Sequence, residues 1–492
     1  MLGRSAAPVN ALPHHHQRPM LARSIPLGVR MSSTVVTDTD LVAATASPLQ
    51  LKRPPRPKTT ALIGTFAQLA KDPLAFMRMA ASHGPITRVC IGTEKLVFLA
   101  DPDLIHEVLV GRASEMFKDR ITQKLNEVMG NGLVTSEGAF WRRQRKLMAP
   151  LFSRKQLAGY AGIMAERTEV AIAKWQQGEI RDIHLDSMAI TLDIIFRTVF
   201  GAEMPPANSH KIAHAIELMM DQFEKELRTW RRFVPDSWLK KGRARAAEAR
   251  EALDSVVYEL IAKKRAAGTG GDDLVSRLLA AKGDDGAVMS DQQVRDEAVT
   301  MVVAGHETTA LVLTFSTMLL SDNPEVGAKL RAELDEVLGG RTPQLDDMAK
   351  LTFTRAVILE AMRLFPPVYV IGRQPENTIG LGGYRIDPDD QLLISQWVLH
   401  HDSRWFSEPD AFVPERWLGD LEQTLPNHVY MPFGGGLRVC IGQHFAMMES
   451  VLCLATLMQR VELQVVADQS RELSPAVTLR PRHGLQAVVH KR

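Results

Sequence analysis

Apolar residues recur at helical spacing along most of this chain, over about 154–201, 209–231, 243–266, 290–320, 323–338 and 351–364. Two short runs, ITRVCI and KLVFLA, flank a GTE turn and predict a strand pair. Strand-like patterning returns at 376–397 and in VELQVV, VTLR and LQAVVH near the C-terminus. The pattern predicts a mainly α fold: a large helical domain with small antiparallel β-sheets. Ser290 and Gln293 stand at capping-box spacing ahead of the longest helix, and Asn323 with Pro324 marks its end. At about 1.5 Å per residue its 30 or so positions span roughly 45 Å, long enough to cross the molecule as a central beam. No internal repeat is visible, and no glycine fingerprint for a nucleotide follows a strand.

Residues 298–320 of that beam have about the length needed to span a bilayer. Their middle, however, carries Gly305, His306, Glu307, Thr308 and Thr309. An acid at a bilayer centre costs roughly 3 kcal/mol, so a core helix with a functional polar break is expected, and no transmembrane anchor.

Composition narrows the class. A chain of 492 residues with 45% hydrophobic and 24% charged residues is neither disordered nor fibrous. Fifty-nine basic residues against fifty-seven acidic leave a net charge of +2, which argues against nucleic acid as a partner for the whole chain. Cys90, Cys440 and Cys453 are too few for a disulfide framework and suit a reducing, cytoplasmic setting. Residues 1–37 hold four arginines and no acid before Asp38, with prolines at 8, 13, 19 and 26. A disordered tail over 1–50 is expected, with Met31 as an alternative start, a targeting segment as a further reading, and His14–His16 as mere tail composition. The basic, proline-rich LKRPPRPK at 51–58 opens the folded body, which then runs over 51–492. Between 225 and 245 lie eight basic and two acidic residues among Trp230, Phe233 and Trp238. That stretch reads as a helix pair with a solvated face, as weak peripheral contact with a membrane surface, or as a nucleic-acid contact.

The chemistry concentrates in MPFGGGLRVCIGQHFAMMESVL, residues 431–452, where a glycine-rich loop delivers one cysteine to the start of an apolar helix. Gly434, Gly435 and Gly436 permit positive φ and close approach to a flat ligand, and Gly442 permits the same beyond the cysteine. Backbone N–H groups and the helix dipole are expected to favour a thiolate at Cys440, a strong metal ligand. Zinc held by Cys440 and His444 is rejected, because two ligands do not complete a tetrahedral site. Elsewhere, Glu360 and Arg363 share a helix face in ILEAMRLFPP, and FVPERW offers Arg416 as a further partner. In AGHETT a mid-helix glycine costs about 1 kcal/mol relative to alanine, and room for a diatomic ligand is the expected return. Trp141 and Arg145 stand four apart in WRRQRK.

These segments resemble the cytochrome P450 superfamily. Phe433, Gly436, Arg438, Cys440 and Gly442 fit every fixed position of its haem-binding signature, and the Glu-x-x-Arg, Pro-Glu-Arg, acid-alcohol and Trp-x-x-x-Arg motifs follow in family order. The resemblance implies haem b, iron protoporphyrin IX, with Cys440 as axial thiolate ligand and Phe433 packed beside it. Thiolate ligation favours O–O cleavage. It further implies that Arg438, Trp141, Arg145 and Arg373 meet the haem propionates, that Ala304, Gly305 and Gly434 lie against the cofactor, and that Glu360, Arg363 and Arg416 form an ion-paired triad. Thr308 would steady dioxygen and Glu307 would link it to water, with His306 and Thr309 secondary. A threonine hydroxyl bonded to its own i−4 carbonyl is the plainer reading.

The implied reaction is monooxygenation of a lipophilic molecule such as a fatty acid, terpenoid, steroid or macrolide. Apolar pocket walls are expected from 115–135, near Val303 and from Val368 to Ile371. Fifty-two residues follow Cys440, too few for a fused flavin reductase, so no bound flavin is expected. Electrons would come from a ferredoxin or flavodoxin with its reductase, received on Arg142, Arg143 and Lys146 by a protein acting as a monomer. A peroxide-dependent peroxygenase and a haem sensor without turnover are the alternatives.

Overall fold

The computed structural model describes residues 50–57, 69, 71–91, 93–201, 206–227, 236–268, 271, 273–283 and 286–492. The expectations for the tail, Met31 and His14–His16, and for Trp230 and Phe233, fall outside the described residues. The body is built on helices α1 (Gly138–Met148), α2 (Arg154–Ile172), α3 (Ile183–Phe200), α4 (Pro206–Leu227), α5 (Asp236–Ala267), α6 (Asp291–Asp322), α7 (Pro324–Leu338), α8 (Thr352–Leu364) and α9 (Gln443–Arg460).

Helix α6 is the expected beam. The Ser290 hydroxyl accepts the Gln293 N–H at 3.2 Å while the Gln293 side chain accepts the Ser290 N–H at 2.9 Å, so two orphan donors are satisfied at its start. Its apolar half is buried against α3, α8 and α9. It is the one described helix long and apolar enough to cross a membrane, and most of that apolar window lies inside the protein.

The stretch 154–201 is not one helix. Helix α2 ends at Ile172, the chain turns through Gly178 at φ +76°, passes β4 (Ile180–Asp182) and restarts as α3, capped by the Asp182 carboxylate. Apolar periodicity runs on across the break because Trp175 and Ile183 remain buried in the same core.

A five-stranded sheet has the order β1 (Ile86–Ile91), β2 (Glu94–Leu99), β8 (Asp390–Ile394), β5 (Ile371–Pro375), β3 (Met116–Lys118). Its joints are antiparallel except β2 with β8, which the chain reaches only after traversing the helical body. Strands β6 (Ile379–Leu381) and β7 (Tyr384–Ile386) form a hairpin, and β4 pairs with β12 (Gln486–Lys491), which pairs with β9 (Val461–Val465). Strands β10 (Leu473–Pro475) and β11 (Leu479–Pro481) make a last hairpin, so VTLR contributes only the start of β11. Residues 51–57 are tied to the folded body: Arg88 donates its N–H to Pro55 O at 2.9 Å, Arg385 to Lys52 O at 2.8 Å, and Arg53 pairs with Asp387 and Asp390.

Candidate active site

The loop before α9 is fixed by what its glycines make room for. Gly434 and Gly436 adopt φ +72° and +64°. At Gly436 a Cβ would overlap the Leu109 carbonyl oxygen, so only glycine lets the loop touch that backbone. Cys440 donates its N–H to Phe433 O at 3.0 Å, closing the loop on itself. Cys440 keeps accessible surface, yet protein atoms crowd it closely enough for desolvation to push its thiol up. The two observations agree if the sulfur faces an internal cleft. The Gly442 N–H and the Arg145 charge pull the thiol down, but burial outweighs them, which corrects the expectation that the loop alone sets a thiolate. A metal cation at sulfur would supply what the loop lacks. Among the described residues no three His, Cys, Asp or Glu side chains converge on a metal site, so Cys440 would be a sole protein donor. That would suit a metal whose remaining ligands come from a cofactor such as haem.

Beside the loop, cations converge. Arg438 stacks on the Trp141 ring at 3.8 Å, donates to Ser136 O at 2.9 Å and pairs with Glu137. Arg145 lies 5.8 Å from the same ring and donates to Val439 O at 2.9 Å. Trp141 therefore seats two guanidiniums. Arg373 stands opposite Lys118 across β5 and β3, an unfavourable juxtaposition of like charges. Arg373 donates to Gly372 O at 2.7 Å, and Lys118 donates to Val134 O. Burial first, then the charge of Arg438, brings Lys118 down to about 7, and burial brings Arg438 down to about 10. Arg373 and Arg145 are lowered by burial too. Glu137 and Asp119 balance only part of this charge. A cradle so rich in buried and part-buried cations fits the two carboxylates of haem b.

On α6, Ala304 and Thr308 are one turn apart and partly exposed, and the Thr308 hydroxyl donates to Ala304 O at 2.8 Å. This is the plainer i−4 bond; the oxygen keeps its lone pairs as acceptors. At Gly305 a Cβ would meet Ile195 Cδ1 at 2.9 Å, so the glycine lets α3 pack close. Glu307 is buried and accepts the Thr478 hydroxyl at 2.8 Å, with Arg480 Nη1 at 3.9 Å. His306 is buried, bonds Val302 O through Nδ1 at 2.7 Å, and its carbonyl accepts Thr191. Thr309 bonds buried Glu449 of α9, whose carboxyl is pushed up to about 8 by desolvation.

The triad forms as expected. Arg363 Nε and Nη2 lie 2.8 Å from the two Glu360 oxygens, and Arg416 Nε lies 3.0 Å from Oε1. Trp417 Nε1 and the Val413 N–H complete the carboxylate shell at 2.8 and 3.0 Å. Arg363 also donates to His400 O, Pro409 O and Ala411 O. His400 Nε2 accepts the Met431 N–H at 3.1 Å, so the network reaches the first residue of the cysteine loop.

Residues 54–486 match the family model for cytochrome P450. The chain is 34% identical to cyclooctatin synthase of Streptomyces melanosporofaciens, over 86% of this chain and 90% of that one. It is 33% identical to cyclooctat-9-en-7-ol 5-monooxygenase of the same organism, over 85% and 93%. It is 30% identical to pentalenene oxygenase of Streptomyces avermitilis, over 87% and 95%. The chain belongs to the cytochrome P450 family.

This cytochrome P450 is thus a monooxygenase of the haem-thiolate class. Its cluster around Cys440 gathers Trp141, Arg145, Arg373, Phe433, Gly434, Arg438 and Gly442 from α1, β5 and the loop. Lys118, Glu137, Thr478, Arg480 and Glu449 escaped the sequence reading. Glu449 alone left a trace, an acid amid the apolar positions of FAMMESVL; the others are joined to the site by pairings 171 to 301 residues apart.

Proposed function

We propose that this P450 holds haem b on the Cys440 thiolate and inserts one oxygen atom of dioxygen into a lipophilic, terpenoid-like substrate. The excess of buried and part-buried cations around Lys118, Arg373 and Arg438, beside a cysteine that keeps accessible surface, is the observation that carries it. The relatives named for cyclooctat-9-en-7-ol and pentalenene support polycyclic terpenoids ahead of fatty acids, steroids or macrolides. Partly exposed Val134, Val368 and Ile371 and buried Val303 supply apolar wall.

When bound, haem supplies the dioxygen activation and two-electron redox chemistry. The protein's part is acid, positioning and exclusion of water. Arg145, Arg373, Arg438 and Lys118 orient the propionates, and Phe433 packs at the sulfur. Thr308 offers a hydroxyl to the dioxygen side, with Ala304 on the same helix face. Glu307 carries protons to that groove. Electrons arrive from a separate ferredoxin- or flavodoxin-type protein with its reductase, docking on Arg142, Arg143 and Lys146. Function as a cytoplasmic monomer belongs to the same proposal.

The carbon-monoxide difference spectrum of reduced protein tests the ligand: a thiolate signature that vanishes in Cys440→Ala is expected, and a histidine-type signature would overturn the assignment. Products from a terpenoid library, supplied with dioxygen and redox partners, test the reaction. Thr308→Ala is expected to divert electrons to peroxide. Equal turnover on peroxide alone would favour a peroxygenase.

A further inference from the structure

Glu307 is met by groups from separate elements. Thr478, in the turn between β10 and β11, donates to Oε1 at 2.8 Å. Arg480 on β11 holds Nη1 3.9 Å from the same oxygen, beyond hydrogen-bond reach. Its Nη2 is committed elsewhere, 2.6 Å from each Glu224 oxygen on α4. His184 of α3 and His306 of α6 are the other titratable groups here; His184 senses the charges of Glu307, Arg480 and Asp182. The hairpin itself is pinned, with Leu479 N–H on Pro367 O at 2.9 Å and the Tyr369 hydroxyl on Ala476 O at 2.8 Å.

A guanidinium closed on a carboxylate by charge-assisted bonds favours its charged form and fixes its rotamer, which is unsuited to passing protons. We propose that Glu224 is a positioning residue: by occupying Arg480 it keeps that arginine from closing on Glu307, so that docking of α4 sets the proton supply to Thr308. A proton from bulk solvent, relayed by water at the Arg480 side so that no hydroxide is left, reaches the Glu307 carboxylate, which passes it into the Thr308 groove and returns unchanged. The inference rests on the reading of Glu307 as the acid of a dioxygen-dependent oxygenase.

The test uses holoenzyme labelled with ¹³C-glutamate, the Glu307 infrared band being identified by its loss in Glu307→Gln. In substrate-free ferric protein, Glu224→Gln is expected to move that band to an ion-paired carboxylate position, and Glu224→Gln with Arg480→Gln to move it back. In turnover, Glu224→Gln is expected to lower product per electron pair by about tenfold, short of the roughly 10²–10⁴-fold worth of a whole acid–base group because Glu307 itself remains. Its solvent isotope effect should rise, and the double variant should recover both. An unmoved band and unchanged coupling in Glu224→Gln would overturn the inference, as would a loss that Arg480→Gln does not repair. If the wild-type protein oxygenates nothing from dioxygen, the oxygenase reading fails, and the infrared arm alone upholds or overturns the arginine's choice of partner.

Discussion

Glu449 shows how one buried group can set a measurable property. Its carboxyl, bonded to Thr309, is raised from 4.5 to about 8 by desolvation. The folded chain therefore keeps a proton that the unfolded chain releases above about pH 4.5. Stability from this residue is complete at lower pH and drains away as pH rises through about 8, at up to roughly 1.4 kcal/mol per pH unit. Glu449→Gln is expected to lose that slope, so its melting temperature should gain on wild type between pH 5.5 and 8. An equal gap at both ends would show that Glu449 carries no such proton. Cys440 illustrates the limit of local reasoning: FGGGLRVCIG names the ligand, but the balance of burial against Arg145 and the Gly442 N–H belongs to the folded surroundings.

At the scale of elements, the motif anchored by α8 was legible because its chemistry is local. Glu360 and Arg363 share a helix face, and a buried pair demands more partners, which FVPERW supplies. Helix α6 was legible from its cap, and β1 with β2 from a short turn. Register between distant strands was not: nothing near Lys118 says that Arg373 stands opposite. The break before α3 was hidden because both sides feed one core. Glu360→Gln leaves buried Arg363 and part-buried Arg416 short of a counter-charge, and a loss of about 3–5 kcal/mol in unfolding free energy is expected, seen as a lowered denaturant midpoint, with poor haem loading. A fully loaded variant with an unmoved midpoint would strip the triad of its structural role.

For the molecule as a whole, sheet and helices share one task, holding Lys118, Arg373, Arg145 and Arg438 together against their repulsion. Such an arrangement sacrifices stability for affinity. Lys118→Met is expected to raise the melting temperature of haem-depleted protein while speeding haem transfer to a scavenger by about tenfold or more, the worth of one charge-assisted bond. A lowered melting temperature, or an unchanged rate of haem transfer, would contradict the cradle.

Gly436 has a practical corollary. Since its contact with Leu109 fixes the backbone, the neighbouring side chain can be exchanged freely, and Leu437 is 57% exposed. A bioconjugation chemist could graft a photosensitiser or an electrode tether there, three positions from the sulfur, and drive the centre without any natural donor.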